Sequence, residues 1–240
     1  MIEAVLLDMG GVLISLENAR GLPDSKHDWR GREALLRVVR QHGGRLEREE
    51  LESVLFAPWR AEYRQRYAWG REARWEPHLT ALRKRAGVRL RDLTLLGAWF
   101  RPYGERLTPL PGAADTLVRL REQGLRLALC SNVPMPGALY REILERHELA
   151  APIESFHFSY DEGTRKPSPQ MLRNALEVLG VDADRALMVG DRRTSDIAAG
   201  RAAGVGTVWV RSDDGGGPQA DHEIGSLGEL PAIVARLRRA

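Results

Sequence analysis

Residues 3–13 read Glu3-Ala4-Val5-Leu6-Leu7-Asp8-Met9-Gly10-Gly11-Val12-Leu13. An apolar run of strand length ends in the carboxylate of Asp8, and two glycines follow that allow the backbone to turn sharply. Open α/β sheets present reactive groups beyond the carboxyl ends of their strands, so this pattern predicts that Asp8 lies in such a crevice. Taken alone, the stretch is equally compatible with an aspartate that only caps a turn.

The composition is typical of a soluble, folded protein. The 240 residues are 43% hydrophobic and 29% charged, with a formal net charge of +3 and a mean hydropathy of −0.36. This length accommodates one large core, or a core with an inserted smaller domain. No segment approaches the roughly 18 consecutive apolar residues that a membrane span needs, so we expect no membrane partner.

The cysteine and the basic residues further restrict the cellular compartment and the binding partners that we expect. Cys130 is the only cysteine, which excludes an intrachain disulfide, and no secretory leader pattern precedes Glu3. We therefore expect a cytoplasmic protein in which Cys130 is a packing residue. Lysine is rare, since only Lys26, Lys84 and Lys166 occur among the basic residues. The arginines are not clustered with aromatic residues, so specific nucleic-acid binding is not expected.

Residues 15–107 have helical character, because their apolar residues recur at helical spacing without a convincing strand pattern. Four apolar stripes predict four helices: Leu35, Leu36, Val38 and Val39; Leu51, Val54, Leu55 and Trp59; Leu79, Leu82 and Ala86; and Leu93, Leu96, Trp99 and Phe100. Glycines follow the first and third stripes, where they favour helix ends. We interpret this segment as an inserted helical unit.

Strands alternate with helices from about residue 110 onward. The predicted strands cover about 125–130, 155–159, 186–189 and 206–210, and the predicted helices cover about 112–123, 137–147, 168–180, 196–203 and 227–238. Ser168 is expected to cap the helix that it precedes. Strands separated by helices imply parallel pairing through right-handed crossovers, so we predict an α/β fold with a doubly wound parallel sheet.

Polar side chains follow several of these strands and are predicted to converge. Asp8, Ser131 and Asp191 come at strand ends, and Lys166 ends a connecting turn. Two carboxylates at neighbouring strand ends suit Mg²⁺, and Asp196 can face the same crevice. The Ser131 hydroxyl, nearby backbone N–H groups and the Lys166 ammonium group can hold phosphate oxygens.

Each of these side chains also has an ordinary structural explanation. Ser131 could cap the next helix, Asp191 and Asp196 could be helix-start residues, and Lys166 could be a solvated surface lysine. Four such coincidences are not expected in this order at these strand ends. The joint pattern therefore favours a functional site.

On these residues the chain resembles the haloacid dehalogenase-like hydrolase superfamily. Its four motifs match in order: Asp8-Met9-Gly10-Gly11-Val12-Leu13, then Ser131-Asn132, then Gly163-Thr164-Arg165-Lys166-Pro167, then Gly190-Asp191 with Asp196-Ile197. The resemblance implies a Rossmann-like α/β core formed by residues 1–14 and 108–240. It also implies that residues 15–107 form a helical cap domain between the first and second motifs.

The resemblance further implies a hydrolase of small phosphorylated metabolites. Asp8 would attack phosphorus, and water would then hydrolyse the aspartyl-phosphate. The implied Mg²⁺ ligands are Asp8, the backbone oxygen of Gly10, Asp191 and Asp196, the last directly or through water. The implied phosphate-binding residues are Ser131, Asn132 and Lys166, with Lys166 also counted as catalytic.

Gly10 departs from the pattern of the phosphatases in this superfamily. Those enzymes usually carry a second aspartate two residues after the nucleophile, where it protonates the leaving group and later activates water. Such proton transfer typically contributes about 10²- to 10⁴-fold to the rate. Gly10 therefore predicts slower turnover of alkyl phosphates than of aryl or acyl phosphates, or a substitute group from the cap such as Glu17 or His27.

Two alternative functions stay open. Dehalogenases of the same superfamily also lack the second aspartate, because a halide leaving group needs no proton, although Asp191 and Asp196 would repel an anionic substrate unless a metal were present. A binding or regulatory protein that has lost turnover is also compatible with Gly10. The natural substrate and the oligomeric state are not evident from the sequence.

Overall fold

Six parallel strands form the centre of the fold in the computed structural model, which describes residues 1–16, 28–68, 70–212 and 216–239. In chain order these strands are β1 (Ala4–Leu7), β2 (Arg126–Ser131), β3 (Ser155–Phe158), β4 (Ala186–Gly190), β5 (Gly206–Val210) and β6 (His222–Ile224). Across the sheet their order is β3-β2-β1-β4-β5-β6. This is the predicted doubly wound arrangement, and the strand order reverses at β1 and β4.

Strand β1 is buried on both faces, which explains its unbroken apolar sequence. Val5 and Leu7 belong to the apolar cluster on one face, whereas Ala4 and Leu6 belong to the cluster on the other. The strand pairs with β2 on one side and with β4 on the other. It therefore brings Asp8, its next residue, to the middle of the carboxyl edge of the sheet.

The described part of residues 15–107 is mainly helical, as the apolar stripes predict. The helices are α1 (Asp28–Gln41), α2 (Arg48–Leu51), α3 (Ala57–Ala68), α4 (Glu76–Ala86) and α5 (Asp92–Gly104). A π-helical turn at Glu52–Phe56 joins α2 to α3. The prediction that Leu93 faces the interior is wrong: it is 48% exposed in the first turn of α5, and Leu95 is buried instead.

The remaining helices cover the two faces of the sheet. They are α6 (Ala113–Glu122), α7 (Gly137–Arg146), α8 (Ser159–Glu162), α9 (Gln170–Leu179), α10 (Ala198–Ala203) and α11 (Leu230–Leu237). Apolar residues of α6, α7 and α11 pack on the face that Val5 and Leu7 share, and those of α9 and α10 pack on the other. None of the helices in the described ranges is both long and apolar enough to cross a membrane.

Several local predictions are corrected by the structure. Ser168 is not the cap of α9, because Pro169 occupies that position and Ser168 lies one residue outside it. The helix predicted from Asp196 begins earlier, with a π-helical turn at Arg193–Ile197. Ser131 is the last residue of β2 rather than the first residue beyond it. Strand β6 was not predicted, since only Ile224 of its three residues is buried.

Trp75 joins the inserted helices to the sheet domain. Its side chain is fully buried and stacks on Trp59 with ring centroids 4.1 Å apart. Its indole Nε1–H donates to the carbonyl oxygen of Pro134 at 2.8 Å, just beyond β2. The apolar cluster around Trp75 continues without interruption from the inserted helices into α6 and α7.

Replacing Trp75 with alanine is therefore expected to lower the free energy of unfolding by about 3–5 kcal/mol, because it leaves a cavity and an unpaired carbonyl group. Urea unfolding followed by circular dichroism measures this change. The matched control is Trp29→Ala, since Trp29 is 52% exposed and its loss should cost no more than about 0.5 kcal/mol. Similar losses in both variants would contradict the proposed role of Trp75.

Candidate active site

Asp8 lies at the carboxyl end of β1, between the ends of β2 and β4. Its backbone N–H donates to the carbonyl oxygen of Val189 at 2.9 Å, which extends the pairing of β1 with β4 by one residue. The side chain is 8% exposed and lines a cavity of about 890 Å³. Ser131, Asp191 and Asp196 line the same cavity. The structure thus brings together the side chains that the sequence places at strand ends.

Lys166 is buried among these groups, with 2% of its surface exposed. Its Nζ lies 2.8 Å from Asp8 Oδ1 and 2.7 Å from Asp196 Oδ1, and it donates to the carbonyl oxygen of Cys130 at 2.6 Å. Burial alone would lower the pKa of Lys166, but the negative charges of Asp196 and Asp8 outweigh burial and raise it above the usual lysine value. Lys166 is therefore a permanent cation in the site.

Asn132 fixes the backbone of Lys166. Its side-chain Nδ2 donates to the carbonyl oxygen of Lys166 at 2.9 Å, and its Oδ1 accepts from the Lys166 N–H at 2.8 Å. This reciprocal pair joins the end of β2 to the turn after α8. The phosphate-binding role of Asn132 stays a prediction.

Three aspartates form a compact carboxylate cluster. Asp8, Asp191 and Asp196 each offer an oxygen, and these atoms lie within 4.8 Å of one another. Burial and the charges of Asp8 and Asp196 raise the pKa of Asp191 to about 7. Burial, together with the charge of Asp8, also raises the pKa of Asp196 despite its contact with Lys166. The cluster therefore carries more negative charge than Lys166 neutralises.

This donor set fits a hard divalent cation. The Oδ1 atom of Asp191 is buried and has no hydrogen-bond partner among the described residues, whereas its backbone oxygen accepts from Trp209 Nε1–H at 2.9 Å and from the Ser212 hydroxyl at 2.7 Å. A cation bonded to carboxylate oxygens would occupy that orphaned atom and relieve the repulsion within the cluster. Gly10, whose backbone oxygen is the fourth predicted ligand, lines the cavity as well.

Two glycines make room for these carboxylates. Gly11 has φ +72°, and a Cβ atom there would overlap Asp191 Oδ2. A Cβ atom on Gly190 would overlap the side chain of Asp196. Because these glycines have no side chains, the aspartates can approach the backbone closely, and Gly11 also allows the chain to turn.

Gly10 has a different environment. A Cβ atom at this position would overlap the Cδ1 atom of Leu16. The leucine thus occupies the space into which an aspartate at position 10 would extend. The predicted substitutes Glu17 and His27 lie outside the described residues.

The lining of the cavity also includes residues from the inserted segment, among them Tyr63, Arg64 and Glu72. Glu72 is only 3% exposed, and its Oε1 lies 3.1 Å from Arg165 Nη1. Sequence reasoning missed Glu72, because it stands among many arginine and glutamate residues with no distinctive spacing. Arg165 was part of a recognised motif, but no role was assigned to it.

Cys130 is consistent with its predicted role as a packing residue. The thiol is fully buried within β2, and burial raises its pKa to about 12. A thiol that stays protonated at neutral pH is a poor nucleophile. Its contribution to the site is the backbone oxygen that Lys166 contacts.

Replacing Gly11 with alanine should displace Asp191 and weaken Mg²⁺ binding by roughly 10- to 100-fold. The rise in melting temperature during a Mg²⁺ titration measures this loss. Gly124→Ala is the matched control, because Gly124 also has positive φ, at +77°, but a Cβ there meets nothing within 4 Å. Both variants should lose about 1 kcal/mol from backbone strain. An unchanged Mg²⁺ response in Gly11→Ala would contradict the predicted effect.

Asp191 should make the stability of the metal-free protein depend on pH. Its folded-state pKa of about 7 lies above the ordinary value of 3.8, so the folded protein holds the extra proton between these values. The free energy of unfolding therefore falls as pH rises through this window.

Asp191→Asn should stabilise the metal-free protein by roughly 1–3 kcal/mol at about pH 8, and this difference should disappear near pH 4. Urea unfolding in EDTA across the pH range measures it. A difference that is independent of pH would show that the substitution acts through packing instead.

The comparisons with known proteins agree with this geometry. A family model described as haloacid dehalogenase-like hydrolase matches residues 2–204. A phosphoserine phosphatase from Thermus thermophilus is 37% identical over 171 residues, which are 68% of this chain and 66% of that protein. Alignments with this and other curated phosphatases span between 39% and 66% of those proteins' own lengths. The chain thus spans less than two thirds of these relatives.

Solved structures share the fold over nearly the whole chain. A HAD phosphatase from Thermococcus onnurineus has a TM-score of 0.63 at 24% identity and covers 97% of this chain and 98% of its own. A 2-haloacid dehalogenase from Pseudomonas syringae pv. Tomato has the same TM-score at 22% identity and covers 99% of this chain and all of its own. The fold alone therefore does not separate the two activities, but the family match establishes that this chain belongs to the haloacid dehalogenase-like hydrolases.

Proposed function

We propose that this protein is a Mg²⁺-dependent phosphatase that hydrolyses small phosphorylated metabolites through an aspartyl-phosphate on Asp8. The observation that carries the proposal is the carboxylate of Asp8, held by the buried Lys166 beside Asp191 and Asp196 at the wall of an accessible cavity. Curated relatives named as phosphatases support it. The expected cytoplasmic location and the absence of nucleic-acid and membrane partners stay predictions.

In the proposed reaction, Asp8 supplies the nucleophilic oxygen. Its contact with Lys166 Nζ at 2.8 Å orients the carboxylate. The oxygen attacks phosphorus in line with the bond to the leaving group, and that bond breaks as the acyl-phosphate forms. Water then attacks the same phosphorus, which releases inorganic phosphate and regenerates the Asp8 carboxylate.

The phosphoryl oxygens are proposed to lie between Ser131, the backbone at Asn132 and Lys166. Ser131 is 3% exposed at the end of β2, where its hydroxyl can donate to an oxygen. Lys166 adds a fixed positive charge, and the backbone of Lys166 is already held by the Asn132 side chain. A group positioned before the substrate binds needs no reorganisation as charge spreads over the phosphoryl oxygens.

The predicted metal ligands are Asp8, Asp191, Asp196 and the backbone oxygen of Gly10. When bound, Mg²⁺ supplies positive charge that neutralises the phosphoryl oxygens. The Asp191 and Asp196 side chains would hold it, and the Asp196 contact with Lys166 at 2.7 Å keeps that carboxylate oriented. The identity of the metal is part of this proposal.

We also propose that residues 15–107 act as a cap over a core made of residues 1–14 and 108–240. The side chains of Tyr63, Arg64 and Glu72 line the cavity together with Asp8, which supports a role of the inserted segment in substrate choice. Closure of such a segment excludes water from the reacting groups.

A 2-haloacid dehalogenase is the alternative that a specific observation favours, because Gly10 leaves no proton donor at that position and a halide needs none. The carboxylate cluster argues against it. Burial and the neighbouring carboxylates already raise the pKa of Asp191, so the anionic carboxylate of a haloacid would enter an environment of excess negative charge. A binding protein without turnover is the third possibility.

The phosphatase is expected to release phosphate from small phosphate esters in the presence of Mg²⁺, to lose that activity in EDTA and to release no halide from 2-haloacids. Asp8→Asn should lower phosphate release by at least roughly 10³-fold and abolish covalent labelling by phosphate, because it removes the nucleophile. Colorimetric phosphate and halide assays measure both reactions.

The matched control is Asp115→Asn, which makes the same chemical change at an exposed position on α6 and should leave turnover unchanged. Halide release that persists in EDTA would favour the dehalogenase. Phosphate-ester binding without turnover in the wild-type protein would favour the binding protein.

A further inference from the structure

The absence of a carboxylate at Gly10 leaves the proposed reaction without its usual proton donor. Among the described residues, the space next to Gly10 is occupied by the apolar side chain of Leu16. An alkoxide leaves phosphorus with difficulty unless it is protonated as the bond breaks. A different carboxyl group near the cavity would therefore change which substrates the protein can use.

Glu72 is a carboxyl group in the required part of the molecule. It lies between α3 and α4 and lines the same cavity as Asp8. Among the described residues that line this cavity, the carboxylates are the three clustered aspartates and Glu72, and no histidine is present. The aspartates are already engaged as nucleophile and predicted metal ligands.

The contacts of Glu72 hold one of its oxygens. The Ser159 hydroxyl donates to Oε1 at 2.7 Å and accepts in turn from the Val133 N–H at 2.8 Å. Arg165 Nη1 lies 3.1 Å from the same oxygen. The second oxygen, Oε2, is buried and has no hydrogen-bond partner among the described residues. A buried carboxyl oxygen without a protein partner is open to a proton, a water molecule or an atom of a ligand.

Relative to the carboxylate, the protonated form of Glu72 is more stable in the protein than it would be in water. Burial raises the pKa of its carboxyl group, and the opposing effects of Arg165 and Ser159 do not cancel this rise. A general acid must carry its proton near the working pH, and burial is a common way to achieve this with a glutamate.

We propose that Glu72 is the general acid and base of this enzyme, in place of an aspartate at position 10. The inference rests on the proposed phosphatase function and extends it to the leaving group. Protonated Glu72 donates its proton to the leaving-group oxygen while Asp8 attacks phosphorus and the bond between phosphorus and that oxygen breaks. The leaving group departs as a neutral alcohol, and Glu72 is left as a carboxylate.

The second step returns the proton. The Glu72 carboxylate accepts a proton from the water molecule that attacks the phosphorus of the aspartyl-phosphate. The bond between phosphorus and the Asp8 oxygen breaks, inorganic phosphate forms, and both Asp8 and protonated Glu72 are restored. No oxidant, reductant or further reactant is needed.

Glu72→Gln tests this proposal, because glutamine keeps an oxygen for Ser159 but has no transferable proton. We expect kcat/KM for alkyl phosphates, such as glycerol phosphates, to fall by about 10²- to 10⁴-fold. For p-nitrophenyl phosphate, whose leaving group needs no proton, we expect a fall of less than about 10-fold. Phosphate release measured with both substrates at saturating Mg²⁺ gives the comparison.

Glu76→Gln is the matched control. Glu76 also lies in the inserted segment and accepts from the Tyr160 hydroxyl at 3.1 Å, but it does not line the cavity. This control should affect both substrates by the same small factor. Equal losses on both substrates in Glu72→Gln would overturn the proposal and leave Glu72 as a residue that holds Arg165 and Ser159 in place.

A measurement on the wild-type protein covers the case in which Glu72→Gln does not fold. A positioned acid makes kcat/KM depend weakly on leaving-group pKa across a series of phenyl and alkyl phosphates, whereas its absence makes the dependence steep. A steep dependence in the wild-type protein would overturn the Glu72 proposal while the phosphatase function stands. Absence of phosphate release from every ester would instead overturn the phosphatase function.

Discussion

The buried ammonium group of Lys166 is the interaction on which the rest of the site depends. It contacts Asp8 and Asp196 at once, so it joins the end of β1 to the turn that follows β4. A single buried cation cannot neutralise three carboxylates, and burial together with the charges of Asp8 and Asp196 raises the pKa of Asp191. Burying the Lys166 ammonium group without its carboxylate partners would cost free energy. The fold at the carboxyl edge of the sheet therefore depends on the charges of Lys166 and the aspartates together.

Most of the sheet domain was predictable, because its sequence signals are strong. Strands such as β1 and β4 are short apolar runs followed by glycine or aspartate, which is the pattern typical of parallel strands buried on both faces. Strand β6 was missed because two of its three residues are polar and lie at the edge of the sheet. The inserted helices were predicted from their spacing, but Leu93 shows that spacing alone does not fix which residue of the first turn faces inward.

The sequence predicts which residues form most of the site, but it does not predict the contacts between them. Strand ends and glycine-rich turns identify Asp8, Ser131, Lys166 and Asp191 because the parallel sheet brings such ends to one edge. The sequence could not show that the Asn132 side chain binds the Lys166 backbone. Nor could it select Glu72, since its place in the lining of the cavity depends on how the inserted helices pack against the sheet domain.

The packing of Leu16 against Gly10 has a consequence for how this protein can change. A side chain cannot be introduced at position 10 unless the leucine moves, so the two positions are coupled through volume. Because the overlapping atom is the end of a flexible, partly exposed side chain, an aspartate at position 10 requires Leu16 to change its side-chain conformation. An apolar side chain that has no part in the proposed chemistry thus determines which side chains position 10 can accept.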